Sequence, residues 1–312
     1  MRIWIEYAAY RLMGFLVPLL PRRGVVWLGR RLGALYYLLS RRTRRVGLEN
    51  LRRIFPERTD RRRILRRSVQ IHSVALLDAL WSARVTPRNA SRWLKVEPEA
   101  ATAFRLDIEQ GRGGVVATAH YGSWEMFNAA GGALGASGAT VIARTVPNPL
   151  IERHIKRARE QTGNRIVTRK QAMGASLAAL RRGELVCSVI DIAVLPSEGG
   201  VFVDFMGTPA MTSAALPLLA LRCNAPLYFI ACAPVEGGRS YALRLQRIEI
   251  RPDAPREREV ERLALELNRA LEREVRRCPE NWLWGYKRWK WRPGELGQAH
   301  FPSYSLWHHP LW

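Results

Sequence analysis

GGVVATAHYGSWEMFNAA, residues 113–130, is the stretch on which the fold turns. VVATA (115–119) is an unbroken apolar run and reads as a strand buried on both faces. It runs into His120, turns at Gly122, and passes into a helix beginning near Ser123 with Glu125 in its first turn. Strand, short turn and helix is the repeating unit of an α/β sheet.

The same pattern extends outward. ATVIA (139–143), LVCSVI (185–190), GVFVDF (200–205) and LYFIACA (227–233) read as further buried strands. Between them, 150–162 carries Ile151, Ile155 and Ala158 at helical spacing and stops at Gly163; 171–182 carries Met173, Leu177 and Leu180 and stops at Gly183. YALRLQRIEI (241–250) alternates like an edge strand, and 255–277 is a long helix striped by Val260, Leu263, Leu267, Leu271 and Val275. Upstream, 60–81 has helical spacing with Thr59 as a candidate N-cap. The fold class is α/β: a mixed, mainly parallel central sheet flanked by helices, behind an N-terminal helical segment that associates with a membrane.

Charge narrows the partners. Lys and Arg number 50 against 27 Asp and Glu in 312 residues, a net +23, and 16 of the arginines fall between residues 22 and 67. With 47% hydrophobic residues the chain is not disordered. Its field favours anionic partners: nucleic acid, acidic phospholipid, a phosphorylated substrate or an acidic carrier protein. No helix-turn-helix or RNA-recognition motif accompanies the charge, so no nucleic acid is expected. The arginines instead follow apolar, Trp- and Tyr-bearing stretches (3–20, 24–29, 32–40) broken by Glu6, Arg11, Pro18, Arg30 and Arg31. These breaks suit helices lying on an anionic bilayer better than a spanning helix. Cys187, Cys223, Cys232 and Cys278 form no CxxC pair and no metal-ligand spacing with the six histidines, so they read as reduced thiols and no metal site is expected.

The chemistry-bearing pattern is His120 and Glu125. Across a strand-to-helix turn the Glu125 carboxylate can hold the imidazole Nδ1–H, leaving Nε2 as a general base. Such a dyad has no protein nucleophile, which suits direct attack by an acceptor's own hydroxyl. Backbone N–H groups near Gly122, or a basic side chain, would stabilise the oxyanion.

VGLENLRRIFPE (46–57), AHYGSWE (119–125), ARTVPNPLIE (143–152), SVID (188–191), VFVDFMGTPAMT (201–212) and PENWLWGYKRWKWRP (279–293) follow one another in an order and spacing that resemble the bacterial lipid A biosynthesis acyltransferases, the late lauroyl and myristoyl transferases of the lysophospholipid acyltransferase superfamily. The resemblance implies acyl transfer from a thioester, on acyl carrier protein or coenzyme A, to a hydroxyl of an anionic membrane glycolipid, with no cofactor. It implies His120 and Glu125 as catalytic residues. As substrate-binding residues it implies Arg144 in the second block, Asp191 closing a strand, Gly207 and Pro209 in a pocket-shaping turn, and Arg288 in the C-terminal basic-aromatic block. Departures are Ile192 after the strand-end acid, Tyr286 where a His is common, and Met206 for a frequent Phe.

Three regions are expected: membrane-associating helices over 1–45, an α/β acyltransferase domain over 46–295, and a C-terminal aromatic tail over 296–312, whose end SLWHHPLW (305–312) reads as flexible or membrane-touching. The cytoplasmic face of the inner membrane is the expected location. A mannosylated phosphoinositide as acceptor, or a non-catalytic basic protein binding membrane or nucleic acid, are the alternatives.

Overall fold

Eleven strands and eleven helices account for the regular elements of the computed structural model, which describes residues 1–86, 88–111, 113–130, 134, 138–160, 163–251, 253–294 and 296–308. The strands are β1 (Leu94–Val96), β2 (Gly114–Thr118), β3 (Ala139–Ile142), β4 (Arg165–Val167), β5 (Leu185–Val189), β6 (Gly200–Phe205), β7 (Thr208–Ser213), β8 (Leu227–Val235), β9 (Ser240–Ile248), β10 (Trp291–Pro293) and β11 (Leu306–His308). The helices are α1 (Arg2–Leu19), α2 (Arg22–Leu39), α3 (Arg41–Ile54), α4 (Arg61–Trp81), α5 (Ala90–Trp93), α6 (Pro98–Glu109), α7 (Trp124–Ala130), α8 (Pro149–Glu160), α9 (Arg169–Arg181), α10 (Ala215–Cys223) and α11 (Arg256–Arg277).

Seven strands form the main sheet in the order β1-β9-β8-β2-β5-β3-β4. Every neighbouring pair is parallel except β8 with β9. The unbroken apolar runs follow from this architecture, because both faces of the central strands are covered. On β2, Val115 and Ala117 join Leu263, Leu267 and Leu271 of α11 in one core, while Val116 joins Phe104, Trp81 and Met126 in the other. The α/β class with a mainly parallel, mixed sheet is therefore the fold.

Several expectations change, among them the edge position expected of YALRLQRIEI, since β9 lies between β1 and β8. GVFVDF does not enter the main sheet: β6 pairs antiparallel with β7 in a separate hairpin over α11, closed by Met206 and Gly207, both at positive φ. A turn with two left-handed residues matches the twist of a two-residue hairpin, so a buried-looking run became half of a local ribbon. The C-terminal stretch also folds back over residues 296–308. Phe301 is buried, the Tyr304 hydroxyl donates to Asn50 Oδ1 at 2.5 Å, and β11 pairs parallel with β10. Residues 309–312 of the expected tail, like 161–162 at the end of the 150–162 helix, lie outside the described residues. Helix α4 starts after Asp60 rather than Thr59.

The N-terminal helices pack on α4. Its close partner is α2, because Gly29 and Gly33 present no side chain where the helices cross. A Cβ at Gly33 would stand 2.6 Å from Gln70 Cα and 3.0 Å from the Val69 carbonyl, both backbone atoms. Gly33→Ala should therefore push α2 off α4 and lower stability by about 1–3 kcal/mol, the usual effect of overpacking; thermal unfolding of the two proteins measures it.

Candidate active site

The carboxyl ends of three adjacent parallel strands carry the candidate residues. Register pairs Thr118 with Val189 and Val141 with Cys187. Two residues past β2 stands His120, two past β5 stands Asp191, and two past β3 stands Arg144. Sites of open α/β sheets lie outside this edge.

Asp191 grips His120 twice. Its Oδ1 lies 2.9 Å from His120 Nδ1, and its Oδ2 accepts the His120 backbone N–H at 2.9 Å. Trp282 Nε1–H donates to Oδ2 at 3.0 Å. The carboxylate that holds the imidazole is thus Asp191 and not Glu125. The reason is register: continuing the β2–β5 ladder from Thr118↔Val189 sets residue 120 beside residue 191. Glu125, in the first turn of α7, instead accepts the Trp124 indole N–H at 3.2 Å, and the Trp124 ring stands edge-on to His120 at 5.0 Å.

Burial opposes a charge on His120, but the Asp191 carboxylate and its hydrogen bond more than offset this and raise the imidazole above its ordinary value. On Asp191, burial pulls upward and is outweighed by His120 and the Trp282 donor, so the carboxyl is lowered. The Asp191 side chain is 3% exposed while that of His120 is 24% exposed, so the imidazole retains an accessible edge. Beneath it, the buried His72 lies between two carbonyls: Nδ1 is 2.8 Å from Ser68 O and Nε2 is 3.0 Å from His120 O. Burial lowers His72 against the upward pull of the two carbonyls, and the ring supports the turn from below.

The turn after His120 is fixed from behind. Gly122 has φ +65°, and a Cβ there would meet Cys232 O at 2.0 Å, so only glycine fits. Its N–H donates to Asn281 O at 2.8 Å and the Ser123 N–H to Cys232 O at 3.1 Å. The backbone donors proposed for an oxyanion near Gly122 are thereby engaged within the protein. Ser123 Oγ caps α7 by accepting from Met126 N at 3.4 Å and donates to Asp78 Oδ2 at 2.7 Å. Asp78 in turn pairs with the buried Arg22 guanidinium and accepts from the Tyr241 hydroxyl, while Arg22 also donates to Gly238 O at 2.7 Å and 3.0 Å.

The other expected residues are dispersed. Arg144 is exposed at the strand edge. Gly207 and Pro209 lie at the β6–β7 turn, where Gly207 N–H donates to Asp204 Oδ2 within the hairpin and Met206 N–H donates to Glu272 of α11, so the turn is tied to α11. Arg288 is fully buried. It donates to Met211 O at 2.5 Å and Thr212 Oγ1 at 2.6 Å, and lies over the Phe205 ring. Burial lowers its guanidinium to about 10. It pins the hairpin and presents no charge to a head group. The Tyr286 hydroxyl, at the position where a His was expected, accepts from Ala193 N–H two residues past Asp191. Sequence reasoning passed over Ser123, Asp78 and Trp282, whose roles depend on contacts 45 or more residues away. Among the described residues, no group of three or more His, Cys, Asp or Glu side chains is placed to hold a metal ion.

Residues 1–291 match the family model described as bacterial lipid A biosynthesis acyltransferase. The chain is also 25% identical over 300 residues to the lipid A biosynthesis lauroyltransferase of Escherichia coli (strain K12), covering 94% of this chain and 93% of that protein.

Two outcomes follow from this geometry. In an NMR titration His120 should titrate above about 6.5, and Asp191→Asn should bring it down; an unchanged value would mean the carboxylate does not hold the ring. The sign for stability is fixed too: the His120–Asp191 contribution is full below the unfolded value and is lost as pH rises through the raised folded one. Asp78→Ala leaves Arg22 buried without its carboxylate and should lower stability by about 3–5 kcal/mol, read by denaturant unfolding.

Proposed function

The chain belongs to the bacterial lipid A biosynthesis acyltransferase family, and from that premise we propose that it moves a fatty acyl group from a thioester, on acyl carrier protein or coenzyme A, to a hydroxyl of a lipid A precursor. The observation that carries this reading is the His120–Asp191 pair at the carboxyl edge of the sheet. With Nδ1 held by Asp191, Nε2 is the basic nitrogen. It takes the proton of the acceptor hydroxyl as that oxygen attacks the thioester carbonyl. The tetrahedral intermediate then expels the thiolate, which recovers the proton from the imidazolium. General-base catalysis of this kind contributes about 10²–10⁴ in rate.

Glu125 keeps a place in the proposal beside Asp191. It adds negative charge next to Trp124, whose ring faces His120, and favours the imidazolium formed during attack. Since the Gly122 and Ser123 N–H groups are engaged, a basic side chain is the better oxyanion partner, and Arg144 at the end of β3, on the far side of β5, is the candidate. No cofactor enters this chemistry.

The helices α1 and α2 support docking at the cytoplasmic face of the inner membrane. They expose Trp4, Ile5, Phe15, Leu19, Trp27, Leu35 and Leu39, an unusual amount of large apolar surface for two neighbouring helices. Arg41 and Arg42 follow immediately and suit anionic head groups. Among the described residues no helix is long and apolar enough to cross a membrane, which fits peripheral attachment.

Purified protein in mixed micelles, offered an acyl carrier protein donor series and a phosphorylated, hydroxyacylated glucosamine disaccharide, should give a product heavier by one acyl group in a mass spectrum. His120→Ala should reduce the rate by at least about 10²-fold. Asp191→Asn should reduce it and move the acid limb of the pH profile downward, and Glu125→Gln should lower the rate and move that limb the same way by less. Transfer that survives His120→Ala would sink the mechanism.

A further inference from the structure

Among the described residues, a cleft of about 210 Å³ lies where the N-terminal end of α4 meets the C-terminal end of α11 and the turn over Pro279–Asn281. Arg58, Arg63, Arg67, Arg276 and Arg277 line it. Two acids, Asp60 and Glu280, line it as well, so five positive charges face two negative ones. Asp60 is committed: it takes both nitrogens of the Arg58 fork at 2.9 Å and 3.0 Å and Arg63 at 2.7 Å. Arg276 pairs with Glu272 at 2.7 Å.

Arg67 and Arg277 differ from these. Each stands 3.7 Å from its acid, Glu280 and Glu274 respectively, within ion-pair range but beyond hydrogen-bond length. Their N–H forks are not used by those contacts. Cys278, also in the wall, is pushed up to about 11 by burial and by Glu280, so it remains a neutral thiol and adds no negative charge.

We propose that this cleft is a binding subsite for a phosphate ester, held chiefly by Arg67 and Arg277. Guanidinium forks match phosphate oxygens in pairs, and a concave surface converging several of them selects a tetrahedral, multiply charged group over a lone carboxylate.

The cleft is joined to the site already described. Arg67 precedes Ser68, whose hydroxyl donates to Trp282 O. Glu280 precedes Asn281, which accepts the Gly122 N–H, and Leu283 N–H donates to His120 O at 3.1 Å. Three Cα–Cα steps, at most about 11 Å of chain, lead from Glu280 to Leu283, the residue bonded to the His120 carbonyl. The wall of the cleft and the turn bearing His120 are thus tied to one short segment, and in the proposed assignment one substrate spans both. This assignment rests on the acyl-transfer reading for the phosphate's source: the phosphopantetheine arm of the thioester donor, or the phosphorylated glycolipid.

The test uses the full chain and the paired variant Arg67→Gln with Arg277→Gln, both exposed side chains. Its control is Arg256→Gln with Arg258→Gln, which removes the same charge from the opposite end of α11, about 30 Å away. Inorganic phosphate binding, followed by calorimetry, should weaken at least tenfold in the cleft variant and little in the control. Steady-state kinetics then separate the sources. If the donor's phosphate occupies the cleft, its KM should rise about tenfold with an acyl-phosphopantetheine donor and stay unchanged with an acyl-pantetheine donor lacking the phosphate. If the acceptor's phosphate occupies it, the rise should follow the phosphorylated disaccharide and vanish with the dephosphorylated one. Phosphate affinity equal in variant and wild type, an equal loss in the control, or no change in either KM would overturn the proposal. The binding measurement needs no turnover, so a wild-type protein that binds phosphate at the cleft but transfers no acyl group would refute the acyl-transfer reading alone.

Discussion

The buried Asp191 carboxylate sets the terms for the rest of the molecule. Removing a carboxylate from water carries a penalty of several kcal/mol unless donors surround it, and here three do: the His120 backbone N–H, the His120 ring and the Trp282 indole. They arrive from two distant parts of the chain. The β2–β5 register brings the first two, and the segment after α11 brings the third. If any part is misplaced, a buried charge loses a partner. The site's geometry and the folding of distant segments are therefore one energetic problem.

Much of this architecture is legible in local patterns. VVATA, LVCSVI and LYFIACA are predominantly apolar at successive positions because both sheet faces are covered, and α11 shows its stripe at helical spacing because only one face meets the sheet. His120 is legible as well, since a His ending such a strand faces the edge where α/β sites form. Its carboxylate partner is not. Glu125 lies five residues away and looks sufficient, yet Asp191, 71 residues on, holds the ring, because strand order and register are properties of the whole sheet.

The arginines make the same point about charge. Composition reports their number but not whether a guanidinium faces water. Arg288 sits in a Trp-rich block suggestive of head-group binding, yet it is sealed beneath the β6–β7 hairpin, donating to Met211 O and Thr212. That hairpin was itself unreadable as such, because its strand looks like those of the main sheet. Arg22, at the start of an apparently peripheral helix, is buried too, against Asp78. Arg144, at a strand end, remains exposed, as its position at the sheet edge allows.

Arg22 also connects the two ends of the functional proposal. It begins α2, the helix that exposes Trp27, Leu35 and Leu39, and its partner Asp78 holds Ser123, the cap of the helix that follows His120. The surface suited to a bilayer and the turn bearing the candidate base are thus held by one buried network of charge and hydrogen bonds. Such networks add little net stability over apolar packing, but they tolerate few alternative arrangements. Their consequence here is positional: α2 and His120 are held in one fixed relation, so under the proposed membrane docking the depth of α2 would set the height at which a lipid hydroxyl meets Nε2.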